Sequence, residues 1–141
     1  DVIDMKPDLL SILIGVNDRK VKKGQTFLSD QWESDYREIL IKSRQANEKL
    51  RIVLLDPFVL KSGWWMNKGG EWDISRAQIN KMGKIVSQLA RDFNAIHVKT
   101  QEVFDAAAKV SGPEQWIWDG VHPLPQGHEL IARNWLEQVS A

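Results

Sequence analysis

Cysteine is absent from the 141 residues. That excludes a disulfide scaffold, a thiolate metal site and a cysteine nucleophile within this stretch. No apolar run approaches the roughly 18 residues that a membrane span needs. There is no surplus of charge either: Lys plus Arg and Asp plus Glu number 19 each. Nucleic acid, an anionic membrane surface and an acidic polymer therefore lack an electrostatic case as partners. The one local basic excess, Arg19, Lys20, Lys22 and Lys23, suits a solvated loop. Internal repeats and low-complexity tracts are missing. So is Gly-x-Ser-x-Gly, which excludes the strand–turn–helix nucleophile elbow. A phosphate-cradling glycine loop is also wanting, because Gly69-Gly70 stands alone, and this leaves half of a flavodoxin-like nucleotide binder unsupported. No signal peptide is visible. The chain opens on Asp1 rather than Met, so upstream residues are expected to have been removed. The compartment stays open, with the cytoplasm favoured over secretion.

What is present is an ordinary globular composition, 43% hydrophobic and 27% charged, in a length that suits one domain over residues 1–141. Apolar runs alternate with helical periodicities, which predicts an α/β domain with a parallel sheet. Residues 1–6 read as a helix tail stopped at Pro7. Leu9 to Val16 is an unbroken apolar run, expected as a strand covered on both faces. Ser29 reads as the N-cap of a helix over 30–47, with Trp32, Tyr36, Ile39, Leu40, Ser43 and Ala46 at helical spacing. Arg51 to Asp56 predicts the next buried strand. Asp73 reads as the cap of a long helix to Phe93, with Ile74, Ala77, Met82, Ile85, Val86, Leu89 and Phe93 as its apolar stripe. Residues 95–99 predict a short third strand. Thr100 then caps a helix to Val110, and Pro125 opens a last helix with Ile131, Trp135 and Val139 inward. Residues 57–72, rich in Gly and Trp, are expected as a long functional loop.

In open α/β sheets ligands bind beyond the carboxyl ends of the strands. Two polar motifs fall there. Gly15-Val16-Asn17-Asp18 follows the first strand. An Asn at that place can aim an amide N–H at a developing oxyanion, or it can simply make a turn. Asp119-Gly120-Val121-His122-Pro123 precedes the last helix. A carboxylate three residues before an imidazole can bind Nδ1–H, fix the tautomer and leave Nε2 as a base. A surface ion pair and half of a metal site are the other readings of Asp-x-x-His, and no further ligands gather nearby to favour a metal. His97 alternates with Ile96 and Val98 and reads as a satisfied strand residue. His128 reads as a packing or capping residue of the last helix.

Together the two motifs, with Lys6-Pro7-Asp8-Leu9-Leu10, Trp118 and Gly127-His128 around them, resemble the SGNH (GDSL-like) hydrolase family over essentially the whole chain. Its acetyl xylan esterase-like members are the nearest in look, through Pro57-Phe58 and the helix and strand that follow. The resemblance implies a three-layer, flavodoxin-like α/β sandwich with a sheet ordered 2-1-3-4-5. This chain would hold the C-terminal two-thirds, strands 3, 4 and 5, with the N-terminal strands missing. It also implies a serine ester hydrolase that works through an acyl-enzyme without metal or cofactor. His122 would be the general base and acid, Asp119 would orient it, Asn17 would serve the oxyanion, and Gly15 would make the turn that presents Asn17. Apart from the resemblance, Trp64, Trp65 and Trp72 of the long loop read as stacking on a sugar ring or lining an acyl pocket, with Trp64 and Trp65 the substrate-binding candidates, unless they pack the loop down or make a subunit contact. The expected partner is a small-molecule or carbohydrate ester. Lysophospholipase or thioesterase action and a non-catalytic binding domain are the alternatives.

One departure stands out. The family's Gly-Asp-Ser block and its glycine block are not in this chain. The nine serines present lack that context, so the nucleophile is expected outside it and the fragment alone is expected to be inactive. The bare edge of the first strand is then expected to be covered, by the missing N-terminal segment or by a second copy in a homo-oligomer.

Overall fold

The computed structural model describes residues 2–140. Three parallel strands, β1 (Leu9–Leu13), β2 (Arg51–Leu55) and β3 (Ile96–Val98), form a sheet in the order β1-β2-β3. Leu9 pairs with Arg51 and Leu13 with Leu55, and Val53 pairs with Ile96. Four helices accompany the sheet: α1 (Ser29–Ala46), α2 (Gly70–Asp92), α3 (Thr100–Ser111) and α4 (Pro125–Val139). The expected α/β class and parallel sheet are present.

Strand alternation sets the layers. Ile12, Ile52 and Leu54 face Tyr36 and Leu40 of α1 and Ile85, Val86 and Leu89 of α2. Val53, Leu55 and Val98 face the other way, against Ile131, Trp135 and Val139 of α4. The inward set expected of the last helix therefore packs as read. Fully burying one such aliphatic side chain contributes about 1.5–3 kcal/mol. A bidentate pair from Arg76 of α2 to Asp105 of α3, with Nη1–Oδ1 at 2.7 Å, links the two helices across the end of the sheet. His97 is satisfied within the fold, its Nε2 lying 2.6 Å from Oδ1 of buried Asp56.

Several boundaries differ from the expectation. Residues 3–5 form one 3-10 turn ended by a left-handed Lys6, not a helix tail, and Asp1 lies outside the described residues. The first strand stops at Leu13, because Gly15 turns the backbone at φ 121°. Leu13 and Ile14 are 42% and 39% exposed, so this edge strand is not covered on both faces. Ser29 and Thr100 are the first helical residues rather than caps, and their hydroxyls bond Asp30 Oδ1 and the Val98 carbonyl. The long helix begins at Gly70, ahead of Asp73. Its inward row is Ser75, Ile79, Met82, Val86 and Leu89. That phase turns Ile74 and Ala77 outward, where they line a cavity against the 20–27 loop. Ile39 and Ala46 of α1 likewise face outward.

The 57–72 connection is far from structureless. Residues 57–60 continue from β2 fully buried, and Gly63–Asn67 form a 3-10 turn. The Gln101 side chain brackets Val59, accepting from its N–H at 2.8 Å and donating to its carbonyl at 3.1 Å. This supplies the partners that a buried backbone needs once the sheet has ended.

Candidate active site

Three loops meet at the carboxyl edge of the sheet. The first follows β1. Buried Gly15 adopts a φ that L side chains rarely reach, and a Cβ there would lie 3.0 Å from the Trp32 ring and 3.1 Å from Met82 Sδ. Only glycine lets the chain pass so close to α1 and α2 before turning. The next residues, Val16–Asp18, make one 3-10 turn, closed by Asp18 N–H to the Gly15 carbonyl at 2.9 Å. Asp18 accepts a bond from Trp32 Nε1 at 3.0 Å. Asn17, held between these anchors, is exposed and has no hydrogen-bond partner among the described residues. Its amide is free to serve a ligand.

The second loop precedes α4. An antiparallel bridge between Ile117 and Pro123, with Leu124 N–H to the Trp116 carbonyl at 2.9 Å, pinches residues 117–123 into a tight turn. Gly120 sits inside it at φ 94°. Within that turn the Asp119 carboxylate is fully engaged. Oδ1 accepts the backbone N–H groups of Val121 at 3.0 Å and of His122 at 2.8 Å. Oδ2 takes His122 Nδ1 at 2.6 Å. Partial burial pushes the Asp119 carboxyl upward, but the bonds from the His122 ring and the two backbone N–H groups outweigh it and hold the group below its usual range. The His122 side chain is 70% exposed and Asp119 21%, so the imidazole reaches outward from a shielded carboxylate. Trp118 stacks on the imidazole at 6.3 Å between ring centroids and 25° between planes.

The third loop follows β2 and binds the second. Leu60 N–H donates to the Gly120 carbonyl at 3.1 Å, and Ser62 Oγ to the Ile117 carbonyl at 2.5 Å. A Cβ on Gly120 would overlap the Trp65 ring. Val16 and Val121 both pack on the cluster of Val59, Ile79 and Met82, which draws the loops carrying Asn17 and His122 onto one base. Val16, Pro57, Phe58, Val121, Pro123 and His128 also line an apolar cavity of about 330 Å³ beside them. His128 thus lies at the cavity wall, exposed, rather than packed in the helix interface.

The two tryptophans expected at the substrate separate. Trp64 is 58% exposed, with Lys68 Nζ 4.5 Å from its ring centre. Trp65 is 2% exposed and supports Gly120 from beneath, so it does not line the open surface as expected. Its Nε1–H has no acceptor among the described residues. Two positions escaped the sequence reading. Arg19, read as part of a solvated basic run, folds inward, and burial pushes its guanidinium below its ordinary pKa. Ser75, on the inner face of α2, receives it. No serine hydroxyl among the described residues bonds His122. No three His, Asp or Glu side chains among them gather to hold a metal, and no helix is long and apolar enough to cross a membrane.

Comparison with known proteins gives the family and agrees with the fold. Residues 1–130 match the family model for GDSL-like lipase/acylhydrolases. The acetylxylan esterase of Geobacillus stearothermophilus is 32% identical over 146 residues, covering 99% of this chain and 62% of that protein. A multidomain esterase of Ruminococcus flavefaciens is 28% identical over 94% of this chain and 16% of its own length. A GDSL-like lipase structure from Parabacteroides merdae superposes with a TM-score of 0.87 at 33% identity, covering 99% of this chain and 63% of that one. The crystal structure of the Geobacillus acetylxylan esterase gives 0.82 at 31%, over 100% and 63%, and catalytic mutants of that enzyme replace a serine, an aspartate and a histidine. The chain spans a little under two thirds of the Geobacillus esterase and of the Parabacteroides protein, and it matches the family model over residues 1–130: it belongs to the GDSL-like lipase/acylhydrolase family, a family of ester hydrolases.

Proposed function

We propose that this chain is the base and oxyanion portion of a serine ester hydrolase that removes small acyl groups, acetyl on a carbohydrate first among them. The observation that carries the reading is the 2.6 Å bond from Asp119 Oδ2 to His122 Nδ1, on a carboxylate whose other oxygen holds two backbone N–H groups. That bond places the Nδ1 proton, so Nε2 points outward as a base. His122 takes the proton of an attacking serine hydroxyl as the serine oxygen bonds the ester carbon. The imidazolium, steadied by Asp119, gives the proton to the leaving alcohol as the acyl-enzyme forms. Water then repeats the sequence and frees the acid and the serine. The Asn17 amide, unpartnered at the sheet edge, donates to the carbonyl oxygen as it gains charge, worth about 3 kcal/mol of barrier for a donor of this kind. Gly15 sets the turn that presents it. The serine comes from outside residues 1–141. The catalytic aspartate and histidine of the Geobacillus relative are three positions apart, as Asp119 and His122 are, which supports the role assignment.

The exposed edge of β1, with Leu13 and Ile14 uncovered, is where a further strand pairs, from the N-terminal part of the protein or from a second copy. The exposed ring of Trp64 is the surface assigned to a sugar on this reading.

The test is acetate release from acetylated xylo-oligosaccharides and from p-nitrophenyl acetate by the full-length protein, beside His122→Ala. Turnover that vanishes in the variant is the expected result. Binding of the oligosaccharide with no turnover, unchanged by His122→Ala, would replace the enzyme by a non-catalytic binding domain.

A further inference from the structure

Asn17 and Asp119 lie 102 positions apart in the chain, yet the proposed chemistry needs them fixed to each other. One half-buried side chain spans the gap. Arg19 Nε donates to the Val16 carbonyl and Nη1 to Ser75 Oγ, both at 2.5 Å. Its guanidinium carbon stands 5.4 Å from the centre of the Trp65 ring. The same ring is the surface that Gly120 rests on. The contacts therefore begin one residue before Asn17 and end one residue after Asp119. Along the way they touch α2 through Ser75, which is fully buried, and the loop after β2 through Trp65.

The chemistry of the anchor is unusual. Arg19 makes no ion pair with a carboxylate among the described residues. Partly burying a guanidinium without a countercharge costs free energy that a Met or Leu of similar length would not. Stability therefore gives no reason for Arg here. Geometry does. A planar fork can donate in two directions from separate nitrogens while its face lies on an indole, whereas a lysine would have to make all three contacts from one nitrogen.

We propose that Arg19 is a positioning residue. It clamps the Asn17 turn to Trp65 and, through Trp65, sets the Asp119–His122 turn, so that oxyanion donor and base share one rigid frame. This rests on the esterase reading above for its effect on rate, but not for its effect on order. Misplacing a reacting group by about 1 Å can cost on the order of 100-fold in rate, which is the effect expected when the clamp is cut.

The experiment uses the full-length protein with Arg19→Ala, Arg19→Lys and His122→Ala. Thermal unfolding first establishes that each folds. With p-nitrophenyl acetate, Arg19→Ala should lose about 100-fold in kcat with KM changed by less than about threefold. Arg19→Lys keeps the charge but not the fork, and should lose nearly as much. Added guanidinium ion should restore part of the rate to Arg19→Ala and none to His122→Ala, a recovery that a merely structural role would not show. Independently of any activity, amide exchange in 119–122 should quicken about tenfold in both Arg19 variants. A kcat within about threefold of wild type in Arg19→Ala overturns the proposal, as does full activity in Arg19→Lys. If the wild type hydrolyses no ester, or His122→Ala is as active as wild type, the esterase reading fails by itself. Exchange in 119–122 then decides the clamp, and unchanged exchange overturns it.

Discussion

Replacing Asp119 by Asn changes one atom, and the structure says which way the new amide must face. Asp119 Oδ1 is held by two donors, the backbone N–H groups of Val121 and His122 at 3.0 and 2.8 Å. Both can be kept only if the amide oxygen takes that position, since an NH₂ there would confront two N–H groups. The NH₂ is then left where Oδ2 was, 2.6 Å from His122 Nδ1. It donates, so Nδ1 must accept. The imidazole proton is driven to Nε2, the atom that has to act as base. The variant thus keeps its turn and inverts its tautomer. In triad hydrolases the same substitution lowers kcat about 10⁴-fold with geometry intact, which is roughly 5 kcal/mol of barrier.

The expected outcome for Asp119→Asn in the full-length protein is a kcat for p-nitrophenyl acetate lower by about 10⁴ in a variant that still folds at neutral pH. Nitrogen-15 spectra of His122 report the tautomer directly. Wild type should carry the proton on Nδ1 and the variant on Nε2. A folded variant with kcat within about tenfold of wild type would refute the reasoning, because it would mean that the Asp119–His122 bond does not set the base. An inverted tautomer with full activity would do so more pointedly, by removing His122 Nε2 from the reaction.

Other outcomes follow from the same loops and core. Gly120→Ala places a Cβ into the Trp65 ring at φ 94°; overpacking and left-handed strain each cost about 1–3 kcal/mol, so urea denaturation should show a loss of at least about 2 kcal/mol. Tyr36→Phe removes a buried hydroxyl that has no partner among the described residues and whose ionisation is pushed up by burial and then by Asp56; unfolding free energy should hold or rise by up to about 1 kcal/mol, and a comparable loss would mean the hydroxyl is bonded in solution. The folded Asp119 carboxyl holds its proton less tightly than the unfolded one. Its contribution to stability is therefore complete above the usual aspartate range, near pH 4, and is lost as pH falls through the lower folded value. The stability gap between wild type and Asp119→Asn, measured by denaturation at pH 6 and pH 3, should narrow at the lower pH.

Much of this was legible in the residues. Strands and helices announce themselves by period, and Ile131, Trp135 and Val139 of α4 pack where their spacing puts them. The Asp119–His122 pair was legible because its partners are three residues apart, so local chain geometry brings them together. Features that depend on distant partners were hidden. Leu9 to Val16 reads as a strand covered on both faces, yet burial of a strand is decided by its neighbours, and among the described residues β1 has one only on the β2 side. The phase of α2 is set by Ser75, Ile79 and Met82 meeting the loops, so Ile74 faces out although its hydropathy says in.

Arg19 and Trp65 carry that point into function. An arginine among lysines reads as solvent-facing, because a charge is buried only when partners are ready to receive it. Its partners here are a serine 56 positions away and a tryptophan 46 positions away. The tryptophan in turn looks like a binding aromatic until the fold lays it under Gly120. Neither residue belongs to a motif, yet between them they join the two motifs that do. On the esterase reading proposed above, the short motifs would supply the atoms that meet an ester, and the long segment between them would set how far apart those atoms stand. A chain that carried Gly-x-Asn-Asp and Asp-x-x-His at the right spacing but lacked a fork at 19 and an indole at 65 would keep the donor and the base and lose their common frame.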